Sequence, residues 1–72
     1  MKIKYTTHAE ERISCRFIKK EWVRKAINNP DKTIDVKNGK KQAIKKINSD
    51  KISVIYAEEN NEIVVVTVYW GE

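Results

Sequence analysis

The chain has 72 residues, of which 40% are hydrophobic and 35% are charged. This balance is typical of one small globular domain and argues against a disordered chain, and the longest apolar run, residues 63–70, is too short to cross a bilayer as a helix. No membrane partner is expected. Fifteen Lys and Arg against ten Asp and Glu give a net charge of +5, which favours nucleic acid or an acidic protein as partner. The alternative interpretation of the charge is a solvated surface with ordinary lysines.

The first part of the chain is predicted to form one strand and two helices. Lys2–Tyr5 is typical of a short strand. Thr7 followed by Glu10 matches a capping box, which predicts a helix over residues 8–17. A second helix is expected over Lys20–Asn28, because its apolar residues have helical spacing and the Asn-Pro-Asp sequence after it cannot continue a helix.

The rest of the chain is predicted to form strands joined by tight turns. Their expected bounds are residues 33–37, 40–48, 52–58 and 63–70. Asn38-Gly39 is a strong hairpin signal, since both residues tolerate positive φ. Residues 40–48 also fit one face of a helix, but the hairpin turn before them favours a strand. Residues 63–70 are apolar on both faces, which predicts a central strand, with Trp70 at its end as a candidate partner contact.

Together these elements predict a single α+β domain over residues 1–72, with two N-terminal helices packed on one face of a mostly antiparallel sheet. The other face is expected to carry Lys41, Lys45, Tyr56 and Tyr69. RNA bases stack on aromatic rings while lysines contact phosphates, so Lys41, Lys45 and Tyr69 are the predicted RNA-binding residues.

A basic line at helical spacing is the strongest candidate site. His8, Arg12 and Arg16 lie four residues apart, so a helix would stack their side chains along one face. Metal-independent RNA cleavage requires a base or acid, which His8 can supply, and cations for the phosphate, which arginine grips in two places. The alternative is that His8 packs at the helix start and the arginines bond carboxylates or carbonyls across the domain.

Other chemistries find little support in the residue content. One histidine and one cysteine do not make an ordinary zinc site, and the two glycines form no phosphate-binding loop, so we expect no metal and no cofactor. The single cysteine, Cys15, cannot form an internal disulfide and is expected to be a small buried residue. With no secretory segment evident after Met1, we expect a cytoplasmic protein.

Three motifs resemble a known family. H-A-x-x-R-x-x-x-R-x-I from residue 8, V-x-x-A-I-x-x-P from residue 23 and I-V-V-V-T-V-Y from residue 63 are similar to proteins grouped as domain of unknown function 4258. That group resembles the RelE-like and BrnT-like toxins of toxin–antitoxin pairs. The resemblance implies a small basic α+β fold that cleaves RNA, often on the ribosome, and is neutralised by an antitoxin, here expected to be acidic. Phe17 stands where such proteins usually have glycine, and Lys19 stands where Ser or Thr usually caps the second helix.

The sequence therefore predicts a toxin-like RNA-binding domain that acts as a metal-independent endoribonuclease, with His8, Arg12 and Arg16 as catalytic residues. The alternative is a noncatalytic module that binds nucleic acid or an acidic protein partner through the same basic surface. A third interpretation is a small domain in which the histidine and arginines are purely structural.

Overall fold

The computed structural model describes residues 2–71, which form two α-helices and five strands. Their bounds are β1 Lys2–Tyr5, α1 Thr7–Cys15, α2 Lys20–Asn28, β2 Lys32–Val36, β3 Lys40–Ile47, β4 Asp50–Glu59 and β5 Glu62–Trp70. Within this range no helix has the length and apolar character needed to cross a membrane. The predicted α+β class is confirmed, and every predicted strand and helix is present to within two residues at its ends.

The five strands form one mixed sheet in the order β1-β5-β4-β3-β2. β5 therefore has a neighbour on each side, as its apolar faces predicted, although β4 is the middle strand. The pairs β2–β3, β3–β4 and β4–β5 are antiparallel, while β1 pairs with β5 in parallel. The first strand, β1, therefore pairs with the last strand, β5, and forms one edge of the sheet.

The tight turns between strands depend on residues that tolerate a left-handed backbone. Asn38 and Gly39, between β2 and β3, have φ of +65° and +72°, and Asn60 and Asn61, between β4 and β5, have φ of +48° and +61°. Asparagine and glycine enter this region at the lowest cost, so both turns follow from local sequence. The turn before β3 favours a strand there, and the helical alternative for residues 40–48 is wrong.

Both helices cover the same face of the sheet, as predicted. Their buried apolar side chains form one cluster with the inward side chains of the strands. The cluster contains Ala9, Ile13, Ile18, Val23, Ala26, Ile27, Ala43, Ile47, Ile52, Val54, Tyr56, Ile63, Val65 and Val68. Burial of these side chains supplies the main driving force for folding.

The prediction of which residues lie on the uncovered face is wrong for three of the four. Lys41 is paired across β3–β4 with Tyr56, and Lys45 with Ile52. Tyr56 and Ile52 belong to the core, so both lysines share the helix-covered face, and Tyr56 is only 6% exposed. Tyr69 alternates with the core residues of β5 and lies on the opposite face. A shift of one residue in register reverses the face of every side chain, and residue pattern alone did not determine that register.

Candidate functional site

Thr6 determines where α1 begins and fastens it to the sheet. Its hydroxyl oxygen accepts a hydrogen bond from the backbone N–H of Ala9 at 3.1 Å, and the hydroxyl donates to the carbonyl oxygen of Val66 at 3.0 Å. The helix therefore starts at Thr7, and the predicted capping box of Thr7 and Glu10 is wrong. Thr6 occupies the cap because it alone of the two threonines also reaches the β5 backbone.

Phe17 ends α1 in a left-handed turn. The N–H of Phe17 donates to the carbonyl of Ser14 at 3.4 Å, and the N–H of Ile18 donates to that of Ile13 at 2.9 Å. This pair of bonds is a Schellman motif, with Phe17 at the position that glycine usually occupies, and its φ is +56°. Ile18 and Ile13 both enter the core, so the turn directs the chain into α2.

Trp70 fixes the end of α1 against the sheet. Its indole N–H donates to the carbonyl oxygen of Arg16 at 2.9 Å. Its ring lies edge-on to Trp22, with centroids 5.7 Å apart and planes at 64°. Trp70, interpreted from sequence as a partner contact, is instead partly buried against the core, where it holds the backbone of Arg16 in place.

The predicted basic line lies along a pocket between α1 and β5. The pocket has a volume of about 260 Å³ and is lined by His8, Arg12, Arg16, Thr67, Val68 and Tyr69. The pocket lies beyond the end of β1. The last residue of β1 is paired with Val65, so the part of β5 after Val65 has no strand beside it on this edge and lies next to α1. Arg12 Nε donates to His8 Nε2 across 3.5 Å, a long and therefore weak bond that joins the first two members of the line.

The pocket is strongly cationic. None of its lining residues is acidic, and the Arg16 guanidinium has no ion pair or hydrogen bond with any side chain or carbonyl in residues 2–71. The guanidinium of Arg12 contacts only His8 within the same range. Within residues 2–71 neither arginine side chain has the carboxylate or carbonyl partner that the structural interpretation expects. Two exposed guanidinium groups with no counter-charge among residues 2–71 are suited to an external anion.

A polar network turns the hydroxyl of Tyr69 away from α1. The side-chain amide of Gln42 donates to Tyr69 Oη at 3.1 Å and to Ser53 Oγ at 3.2 Å. Gln42 is on β3, two strands and about 9–10 Å from β5, so the ring of Tyr69 extends across β4. Ser53 is fully buried and donates to the carbonyl of Gly71. Thr67, which the sequence did not single out, is the other residue with a hydroxyl among those that line the pocket.

The two predicted RNA-binding lysines are not part of the pocket. Lys41 Nζ lies 3.5 Å from Glu58 Oε1, and Lys45 Nζ lies 3.7 Å from Asp31 Oδ1. The backbone N–H of Lys46 donates to Asp31 at 2.8 Å and, with the nearby positive charge of Lys45, lowers the pKa of this carboxyl below its ordinary value. Both lysines thus have carboxylate partners and lie two strands away from β5.

The described residues contain no evident metal centre. Within residues 2–71, no group of three or more His, Cys, Asp or Glu side chains could hold a metal ion. Cys15 is a free, exposed thiol on α1, so the expectation that it is buried is wrong.

The fold and the pocket define a small basic α+β domain with a cationic cleft beside its first helix. The chain belongs to the family described as Domain of unknown function (DUF4258), which matches residues 5–70. This confirms the first part of the resemblance noted in the sequence. No curated protein and no solved structure matches the chain.

Proposed function

We propose that this chain is a toxin-like RNA-binding domain that cleaves RNA without a metal ion at the pocket beside α1. One observation carries the proposal: His8, Arg12 and Arg16 line a single pocket with the hydroxyl residue Thr67 and no acidic residue. A phosphate diester needs such a set of donors, and the net charge of +5 attracts a polyanion over longer range.

The proposed reaction uses the 2′-hydroxyl of the RNA as nucleophile. The 2′-oxygen attacks the adjacent phosphorus and the bond from phosphorus to the 5′-oxygen breaks, which leaves a 2′,3′-cyclic phosphate. His8 Nε2 takes the 2′-hydroxyl proton, and water protonates the departing 5′-oxygen. In the free protein His8 Nε2 accepts the weak bond from Arg12, so a phosphate that draws Arg12 toward itself also releases the base.

The two arginines stabilise the charge that develops on the phosphate. Arg12 is on α1 and Arg16 directly follows its last residue, and both are exposed and line the same pocket. Trp70 holds the backbone of Arg16 in place, which favours a pre-arranged pair of guanidinium groups. Lys41 and Lys45 keep a secondary role in this proposal. Since both have carboxylate partners, they add to the long-range attraction of RNA more than to direct phosphate contacts.

A relation to RelE-like and BrnT-like toxins is part of the proposal. The small basic α+β fold and the cationic pocket support it, and it implies a cytoplasmic protein that acts on free or ribosome-bound RNA. It also implies an acidic antitoxin that covers the basic surface. The charge pattern supports such a partner: pocket arginines that have no carboxylate partner within residues 2–71 can be neutralised by an acidic protein as well as by RNA.

A noncatalytic RNA-binding module is the second candidate function, and one observation favours it. Tyr69, the other residue of the pocket able to transfer a proton besides His8, has its hydroxyl bound to Gln42 on the far side of β4. His8 would then act without a partner acid, and a pocket of this kind can hold a phosphate without breaking it.

Expression in bacteria separates the two candidates. We expect the wild-type chain to arrest growth and deplete messenger RNA, and His8→Ala to abolish both effects while still accumulating as folded protein. Arg24→Ala is the matched control, because Arg24 is an exposed arginine on α2 outside the pocket. A wild-type chain that binds RNA in vitro without depleting it in cells would support the noncatalytic candidate instead.

A further inference from the structure

Phe17 is exposed to an unusual degree for its type. Among the described residues 2–71 it is the one large hydrophobic side chain that is exposed, at 87%. Its backbone is also in the left-handed region, with φ of +56°, where a residue with a β-carbon is strained. The Schellman turn uses the backbone N–H of Phe17 but needs no side chain there, and the 87% exposed ring gains little from packing within residues 2–71. An external contact is therefore the function that the phenylalanine side chain can serve.

The chain on both sides of Phe17 is basic. Residues 13–20 contain Arg16, Lys19 and Lys20 and no Asp or Glu, although Lys20 Nζ is paired with Glu10 at 2.6 Å. Arg16, the residue directly before Phe17, lines the pocket, and consecutive α-carbons are about 3.8 Å apart. The exposed ring thus belongs to the residue that directly follows a pocket arginine along the chain. A nucleotide carries a flat ring and an anion one sugar apart, which matches this pair of neighbours.

We propose that Phe17 stacks against an unpaired base of single-stranded RNA while a neighbouring phosphate of the same strand occupies the pocket at Arg12 and Arg16. The inference rests on the proposed function and adds the residue that selects single strands. An exposed ring accepts any unstacked base, whereas the bases of a duplex are already stacked on one another. A hydrophobic contact to a protein partner is the competing use of the ring, and the test below separates the two.

The test compares two probes by fluorescence anisotropy. The first is a labelled ten-residue oligoadenylate RNA whose 2′-hydroxyls are methylated, so that the proposed reaction cannot cleave it. The second is inorganic polyphosphate, a competitor that carries negative charge without bases. Phe17→Ala removes the ring and keeps the β-carbon. We expect it to bind the RNA about tenfold more weakly, the usual effect of losing one base–aromatic stack. The dissociation constant for polyphosphate, calculated from the competition, should be the same in Phe17→Ala and wild type. Phe17→Trp should bind the RNA within about twofold of wild type.

Each other outcome overturns a defined part of the account. RNA affinity that is equal in wild type and Phe17→Ala refutes base stacking and leaves the ring to a protein partner. Equal losses on RNA and polyphosphate mean that the ring acts through the shape of the pocket, which also refutes stacking. A wild-type chain that does not bind the RNA at all refutes the proposed function itself, and stacking with it.

Discussion

Replacing Phe17 by glycine tests the turn that ends α1 and should stabilise the domain. A residue with a β-carbon in the left-handed region costs about 1–2 kcal/mol, which glycine avoids, while glycine gives up about 0.5–1 kcal/mol through its greater freedom in the unfolded chain. The ring is 87% exposed, so its removal forfeits only a few tenths of a kcal/mol of burial, by an estimate of about 25 cal/mol per Å². The net expectation is a gain of about 0.5 kcal/mol, or about 2–4 °C in Tm for a domain of this size.

Thermal unfolding followed by circular dichroism measures this gain. Phe17→Ala is the matched control, because it removes the same ring and keeps the β-carbon that strains the turn. We expect the glycine variant to melt above both wild type and the alanine variant. A glycine variant that is no more stable than the alanine variant would show that the backbone at this position is not strained, and the argument from uncompensated cost at Phe17 would then be wrong.

Three further predictions concern the cap, the acid limb and the lysines. Thr6→Ala should cost about 1–2 kcal/mol in urea unfolding through loss of the cap, Thr6→Ser should recover most of it, and an unchanged midpoint in Thr6→Ala would contradict the capping role. The N–H of Lys46 holds the pKa of Asp31 below its ordinary 3.8, so the contribution of this carboxylate to the free energy of unfolding is complete above pH 3.8 and is lost as the pH falls toward the folded pKa. Asp31→Asn should therefore reduce the slope of the free energy of unfolding against pH in this acid range. Identical slopes in wild type and Asp31→Asn would refute the linkage. Alanine at one pocket arginine should reduce the magnitude of the slope of log RNA affinity against log salt by about one. Alanine at both Lys41 and Lys45 should change this slope less. A larger change in the lysine variant than in the arginine variant would show that the lysines contact RNA directly.

Local sequence predicted the individual elements well because their signals are local. The bounds of β1 and α2 match the expected ones, and the asparagine turns follow from the low cost of positive φ. The start of α1 was misjudged by one residue because Thr6 and Thr7 are equally good caps in sequence. The bond from Thr6 to Val66, sixty positions away, decides between them.

The arrangement of the site was only half predictable, for a similar reason. Helical spacing placed His8, Arg12 and Arg16 on one line, since that line depends on one element alone. The other wall of the pocket depends on where β1 stops along β5, which no periodicity reports. The faces of Lys41 and Tyr69 depend on strand register, which the apolar pattern left open.

Cleavage of a labelled single-stranded RNA in the presence of EDTA tests the central claim most directly, with and without added ribosomes. We predict that the wild-type chain generates fragments ending in a 2′,3′-cyclic phosphate, identified by mass spectrometry, and that His8→Ala lowers the rate by about 10²–10⁴-fold without a change in Tm. Arg24→Ala should cleave at the wild-type rate. Equal cleavage by wild type and folded His8→Ala, or RNA bound by the wild type and left intact under both conditions, would contradict the claim that this pocket cleaves RNA through His8.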